Sequence, residues 1–223
     1  MRSLARLVAI AASSAPRWLE PRRSFGGATA SAAASEAGAG GSKSLHVTCS
    51  SVEDTIALGA ALAEVAVTGD VIFLRGEYGA GKTCLARGFV QHWRGNYDDQ
   101  VTSPSYLIDN VYPDEDGNAL EPGVAVHHMD LWRLPDGKIT QLVDLDRVFA
   151  ECVSLIEWPE RLGDMMPAEH LSVTLAINGP GGEELDLESL EEQLRLVAIN
   201  AVGASWERRL PSIADAVAAF APP

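Results

Sequence analysis

Apolar residues along the chain come in short blocks separated by polar, Gly- or Pro-bearing breaks, and the blocks are of two kinds. VIFLR (71–75) and VSLIE (153–157) are continuous apolar runs without alternation, the pattern of strands buried on both faces of a parallel sheet. LHVTC (45–49) and LSVTLAI (171–177) read as further strands. SYLIDNVY (105–112) and VAVHHMDL (124–131) read as strands flanking the turn PDEDGN (113–118), and QLRLVAIN (193–200) as a strand pairing back antiparallel. Between them the spacing turns helical. Ser50 and Glu53 form a capping box ahead of the stripe Ile56, Ala60, Leu62, Ala63, Val67, which Gly69 ends. Residues 82–93 predict a helix, 139–149 a short amphipathic one, and a last helix starts near Ala204. The acidic segment 178–192 predicts a solvated loop. Strands alternating with helices predict an α/β domain over 44–223 with a mixed, mainly parallel sheet.

Composition adds limits. Of 223 residues, 47% are apolar, enough for a sizeable core. No apolar run reaches the roughly 18 residues that span a bilayer, so no membrane association is expected. Cys49, Cys84 and Cys152 fit neither a disulfide framework nor a CxxC metal spacing and are expected to be reduced thiols in an intracellular compartment. The formal charge is −14, unevenly spread: residues 1–43 carry a net +4 and the remainder −18. So acidic a body argues against a free-standing binder of nucleic acid or anionic membrane.

Residues 1–43 are rich in Ala, Ser and Gly, and Arg2, Arg6, Arg17, Arg22 and Arg23 face only Glu20 and Glu36. That is the composition of a transit peptide followed by a flexible linker. RRSFGG resembles a mitochondrial processing site that cuts after Phe25. The expected location is an organelle, the mitochondrial matrix ahead of the chloroplast stroma, or the cytoplasm if the segment is not a targeting signal.

GEYGAGKT (76–83) is G-x-x-x-x-G-K-[ST] between a buried strand and a helix, the setting of a P-loop (Walker A). Gly76, Gly79 and Gly81 let backbone wrap a phosphate, and successive N–H groups with the helix N-terminus point at the anion. Lys82 adds charge for the β- and γ-phosphates, and Thr83 offers a hydroxyl to Mg²⁺. The fold class is therefore a P-loop NTPase-like three-layer α/β/α domain. No guanine-reading Asn/Thr-Lys-x-Asp motif follows, since the only later lysine is Lys138. A P-loop kinase acting on a small metabolite remains the alternative, though arginines for a lid are sparse after residue 95.

TSPSY (102–106), HMDLWRL (128–134) and LIEWPE (155–160) follow the P-loop in that order. Together these stretches resemble the TsaE family (YjeE in older naming), from about Ser50 to Trp206. The resemblance implies the ATPase of the machinery that makes N6-threonylcarbamoyladenosine in tRNA, with ATP and Mg²⁺ as cofactors. It implies a TsaD-type carbamoyltransferase subunit and a TsaB-type subunit as partners, and contact with tRNA only through them. Where the family has Asp-Leu after the first glycine, Glu77-Tyr78 stands here; Cys84 replaces a Thr, Ser105 a Thr and Trp132 a Tyr.

By that resemblance the catalytic residues are Asp130, Lys82 and Glu157, and the nucleotide lies on Glu77, Tyr78, Gly79, Ala80, Gly81, Lys82, Thr83 and Cys84. The adenine end lies near Ser51 and Val52. Thr83 and Glu157 hold Mg²⁺, and Thr102, Ser103 and Ser105 form a switch loop sensing the γ-phosphate. Simpler readings stand beside these. Asp130 ends a strand and caps the next turn; Glu157 pairs with an arginine; Trp158 is core packing rather than a lid or partner contact; the Ser/Thr loop is merely exposed. His127 and His128 are adjacent on a strand, so they face opposite sides and cannot form one metal pair. His128 reads as structural or switch-supporting, and His127 carries no signal.

Basic residues in the body are scattered, and RRM and KH signatures are absent. Phosphate affinity rests on clustered Lys and Arg that release counterions. The isolated protein is therefore expected to bind tRNA negligibly at physiological salt. A fluorescence titration giving micromolar or tighter affinity would overturn that expectation.

Overall fold

The computed structural model describes residues 44–135, 138–178 and 194–220. The elements run β1 (Ser44–Cys49), α1 (Val52–Val65), β2 (Val71–Arg75), α2 (Lys82–Arg94), β3 (Asp109–Tyr112), β4 (Val126–Asp130), α3 (Leu145–Glu151), β5 (Val153–Glu157), β6 (His170–Asn178), β7 (Leu194–Val202) and α4 (Ala204–Phe220). The strands form one seven-stranded sheet in the order β1-β7-β6-β2-β5-β4-β3. The central four, β6, β2, β5 and β4, are parallel to one another. Antiparallel strands flank them on both sides: β7 and then β1 beyond β6, and β3 beyond β4.

The unbroken apolar runs in β2 and β5 feed two cores. Ile72 and Leu74 of β2, with Val153 and Leu155 of β5, pack into the larger core with α1, α2 and α4. Val71, Phe73 and Ile156 face the other way, into a smaller core with Leu145 and Val148 of α3, Ile139 and Leu162. A sheet covered on both faces gives the expected three-layer α/β/α arrangement, with a thin second helical layer. Among the described residues, no helix is long and apolar enough to cross a membrane.

Several expected boundaries move. The cap of α1 is Ser51, whose Oγ accepts from Asp54 N at 3.0 Å, while Asp54 Oδ2 accepts from Ser50 N at 2.8 Å. The Ser-x-x-acid pattern occurs twice, one residue apart, and the second copy caps. The helix ends at Val65, before Val67, which is exposed; Gly69 lies in the following turn with φ +86°. Leu58 belongs to the buried face of α1, whereas Ile56 is only half-buried. The predicted strand over 105–112 begins only at Asp109, because Leu107 N and Ile108 N both turn back to Pro104 O, at 2.9 and 2.6 Å. The helix expected over 139–149 is broken into a 3-10 turn at Ile139–Gln141 and α3, because Asp144 caps α3 through Arg147 N. Of the expected acidic loop, Asn178 ends β6 and the rest lies outside the described residues, as do residues 1–43.

Two contacts set the position of the P-loop helix. At Gly59 of α1 an added Cβ would come within 2.0 Å of Leu85 O, and at Gly88 of α2 within 1.9 Å of Ile56 O. The two helices therefore touch backbone to backbone. The C-terminal helix is fastened separately. Asp70, buried ahead of β2, accepts from Arg209 Nη2 at 2.7 Å, from Arg209 Nη1 at 2.5 Å and from Val67 N at 2.8 Å.

Replacing Gly88 by Ala forces backbone against backbone, with no side chain able to yield. Overpacking of this kind costs about 1–3 kcal/mol, and each kcal/mol moves the melting temperature by about 2–4 °C in a domain of this size. Gly88→Ala should lower the thermal midpoint by several degrees, read by circular dichroism. An unchanged midpoint would mean that the helices are free to separate.

Candidate active site

The C-terminal ends of β2, β5 and β4 open on one edge of the sheet, where parallel α/β sheets bind ligands. β2 runs into the loop 76–81. Gly76, at φ +139°, passes so close to β6 that a Cβ would lie 2.4 Å from Leu175 O. Gly81 caps α2 at φ +104° with no side-chain hydrogen bond, so the first turn of α2 keeps its outward N–H groups free of a capping side chain. Glu77, Tyr78 and Gly79 are exposed, Tyr78 almost completely, while Ala80 is buried. Cys84, in the first turn of α2, is a half-buried free thiol.

Lys82 is buried and bends back over the loop. Its Nζ donates to Gly76 O and Glu77 O, both at 2.9 Å, and lies 4.5 Å from the centre of the Trp158 ring. Burial pushes its ammonium below the usual lysine range, opposed by the negative charges of Glu157, Asp130 and Glu160. A cation partly stripped of water beside a loop of backbone N–H groups is suited to an anionic ligand.

Asp130 ends β4 and Glu157 ends β5, and the parallel register pairs them directly. Both are buried. Glu157 Oε1 accepts from Thr83 Oγ1 at 3.0 Å and also lies 3.0 Å from His128 Nε2. Asp130 Oδ1 accepts from Trp132 N at 3.0 Å; Oδ2 accepts from Ser103 Oγ at 3.2 Å and from Ser105 Oγ. The two serine hydroxyls are 2.7 Å apart. Asp130 thus caps the next turn, as the simpler reading has it, and grips the 103–105 loop at once. Glu157 has Thr83 and His128 as its partners where the simpler reading expected an arginine.

The other candidates fall as follows. Trp158 is half-buried in the left-handed conformation, φ +58°, and its ring packs against Trp132 with 4.3 Å between centroids. It covers Lys82 and is not a core residue. Thr102 is exposed and contributes its carbonyl, which accepts from Asn110 Nδ2 at 3.2 Å; its side chain is not gathered with those of Ser103 and Ser105. Ser51 is occupied as the helix cap, and Val52 opens α1. Thr55, one turn on, lies beside Gly81, so the start of α1 borders the P-loop. His127 faces away and pairs with Asp109 at 2.8 Å. Sequence reasoning missed the Trp132 contact with Trp158 and the bond from His128 to Glu157. The second was signalled by spacing, since His128 and Asp130 lie two apart on one strand face.

Thr83 and Glu157 give two hard oxygen donors 3.0 Å apart beside the phosphate loop. That set fits Mg²⁺, which takes one or two protein oxygens and completes its shell with water and substrate phosphate. Among the described residues no cluster of three or more His, Cys, Asp or Glu forms a self-sufficient metal cage.

A glycine loop leading a buried strand into a helix, with acids ending the next two parallel strands, defines a P-loop NTPase-like domain. Residues 49–183 match the family described as "Threonylcarbamoyl adenosine biosynthesis protein TsaE", and the chain belongs to the TsaE family. The "tRNA threonylcarbamoyladenosine biosynthesis protein TsaE" of Mycobacterium leprae is 39% identical over 136 residues, covering 58% of this chain and 80% of that protein. The protein of the same name from Streptomyces coelicolor is 32% identical over 152 residues, covering 67% and 91%. The crystal structure of Bacillus subtilis YdiB superposes with a TM-score of 0.61 at 25% identity, covering 79% of this chain and 98% of that one. The family's role lies in the biosynthesis of threonylcarbamoyladenosine in tRNA.

Asp130→Ala would remove the acceptor for the Trp132 amide and for both serines. Hydrogen bonds to a charged group contribute about 1.5–3 kcal/mol. The Trp132 amide should then exchange with solvent at least about tenfold faster, as measured by hydrogen exchange. Unchanged protection would show that Asp130 does not hold this turn.

Proposed function

We infer that the protein is a Mg²⁺-dependent ATPase of the TsaE type, acting in threonylcarbamoyladenosine modification of tRNA. One observation carries this reading: the P-loop hydroxyl of Thr83 is bonded to Glu157, and Glu157 stands in register with Asp130. Phosphate cradle, metal ligands and a water-orienting acid are thereby adjacent, which is what phosphoryl transfer to water requires.

The backbone of 77–84 and Lys82 hold the phosphates of ATP, with Ser51 and Val52 at the adenine end. Thr83 and Glu157 would hold Mg²⁺, which when bound neutralises charge on the β- and γ-phosphates. Asp130 accepts a hydrogen bond from the attacking water and so orients it. Ser103 and Ser105 share that carboxylate, so a change at the γ-phosphate reaches the loop through Asp130; Thr102 belongs to the same loop. Trp158 covers Lys82 and shields the phosphates from solvent.

The isolated chain turns over slowly, and association with a TsaD-type subunit paired with a TsaB-type one raises turnover and resets that assembly. Tyr78, Tyr106 and Leu107, all strongly exposed, suit such a docking face. Residues 1–43 act as a transit peptide and linker ahead of an ATPase domain over 44–223, directing the protein to an organelle, the mitochondrial matrix first.

Lys82→Ala should lose ATP binding by calorimetry. Asp130→Asn should keep ATP bound while phosphate release falls about 10²-fold or more, and Glu157→Gln should raise the Mg²⁺ needed far more than it weakens nucleotide affinity. Unchanged hydrolysis in both acid variants would overturn the reading. ADP formed only with an added small-molecule acceptor, and without release of inorganic phosphate, would favour a kinase.

A further inference from the structure

His128 is completely buried, on the face of β4 that also carries Val126 and Asp130. Its Nε2 lies 3.0 Å from Glu157 Oε1, the same oxygen that accepts from Thr83. A carboxylate only accepts, so Nε2 is the donor. Its Nδ1 is buried and has no hydrogen-bond partner. Leaving one end of a buried imidazole unpaired is unfavourable, and an apolar side chain would fill the position without that cost. What only the imidazole supplies there is the hydrogen bond to Glu157. His127, its neighbour, makes its hydrogen-bond contact with Asp109 on the opposite face and does not reach the site.

We propose that His128 is a positioning residue: it orients the Glu157 carboxylate for the metal ion. This rests on the reading of Glu157 as a Mg²⁺ ligand. The need for a second donor follows from the geometry. Oε1 now has two donors, Thr83 Oγ1–H and His128 Nε2–H. A carboxylate oxygen offers two lone pairs, so a cation on Oε1 displaces one of these two donors, and the Thr83 hydroxyl, drawn to the same cation by its own lone pair, is the one that turns away. His128 is the donor that stays, fixed in direction because it lies on the strand next to the one carrying Glu157 and two residues from its register partner. Groups that hold a metal ligand from behind in this way change metal affinity about 10–100-fold when removed.

His128→Leu removes the donor and keeps an apolar filling; His128→Gln keeps an N–H donor at about the reach of Nε2. Mn²⁺ affinity of the protein–ATP complex is read by electron paramagnetic resonance, with ATP affinity in EDTA and the thermal midpoint measured alongside. The Leu variant should bind Mn²⁺ about 10–100-fold more weakly, with metal-free ATP affinity changed by less than about threefold, and the Gln variant should recover most of the loss. Equal Mn²⁺ affinity in wild type and His128→Leu overturns the proposal, as does a loss that is identical in both variants and follows the midpoint. Glu157→Gln separates the two readings. If it too leaves Mn²⁺ affinity unchanged, the metal role of Glu157 fails and the proposal with it; if it weakens Mn²⁺ while His128→Leu does not, only the proposal fails. Should neither variant fold, nitrogen-15 spectra of the wild-type protein with Mg²⁺ and ATP decide it. The hydrogen must be on Nε2 of His128, and a ring carrying it on Nδ1 alone overturns the assignment.

Discussion

Two carboxylates facing each other across a parallel register are the constraint around which this molecule is built. Asp130 and Glu157 are held side by side by the hydrogen-bond ladder between β4 and β5, and both are withdrawn from water. Like charges so placed repel unless donors and cations surround them. The neighbourhood supplies these from four directions: Thr83 from the P-loop helix, His128 from the strand itself, Ser103 and Ser105 from the loop before β3, and the Trp132 amide from the turn after β4. Lys82 adds the positive charge. Each segment that reaches the edge of the sheet contributes something to the same local charge balance. The site is therefore one electrostatic unit.

Backbone strain gathers at the same edge. Ile108 and Trp158 are the two non-glycine residues with positive φ among those described, and both adjoin the acids. Ile108 O accepts from Asp130 N at 2.9 Å, and Trp158 follows Glu157 directly. Such conformations cost about 1–3 kcal/mol each and persist where surrounding contacts over-determine them. Trp158 is held by ring contacts with Trp132 and Lys82, and Ile108 by the turn on Pro104.

What was legible in the sequence followed from short-range rules. Buried runs gave β2 and β5, the glycine loop gave the phosphate cradle, and the adjacency of His127 and His128 put them on opposite faces of one strand. The misplaced elements were those where a local hydrogen bond competed with periodicity. Asp54 shifted the cap by one residue, Pro104 O captured two amides and shortened β3, and Asp144 divided a helix. Neither Gly59 nor Gly88 stood out, because close helix approach is a property of two segments together. The Trp132–Trp158 contact was hidden for the same reason: its partners are brought together only by the register of two strands.

The place of β7 has a consequence for how the chain acquires its shape. β7 lies between β1 and β6, and among the described residues β1 pairs with no other strand. Leu45 must wait for Ile199, and Asp70 for Arg209. Chain emerging from a ribosome, or threading through a pore, N-terminus first can form the central parallel strands early but cannot seat β1 until β7 arrives. Contacts so distant in sequence close slowly. Over that interval the free edge of β6 is an open template for pairing with another chain, a hazard for any unpaired strand edge. The segment matched to the family ends at residue 183, short of β7. Cut there, the sheet would have no strand to join β1 to β6, so the unit that folds is longer than the segment that the family model matches.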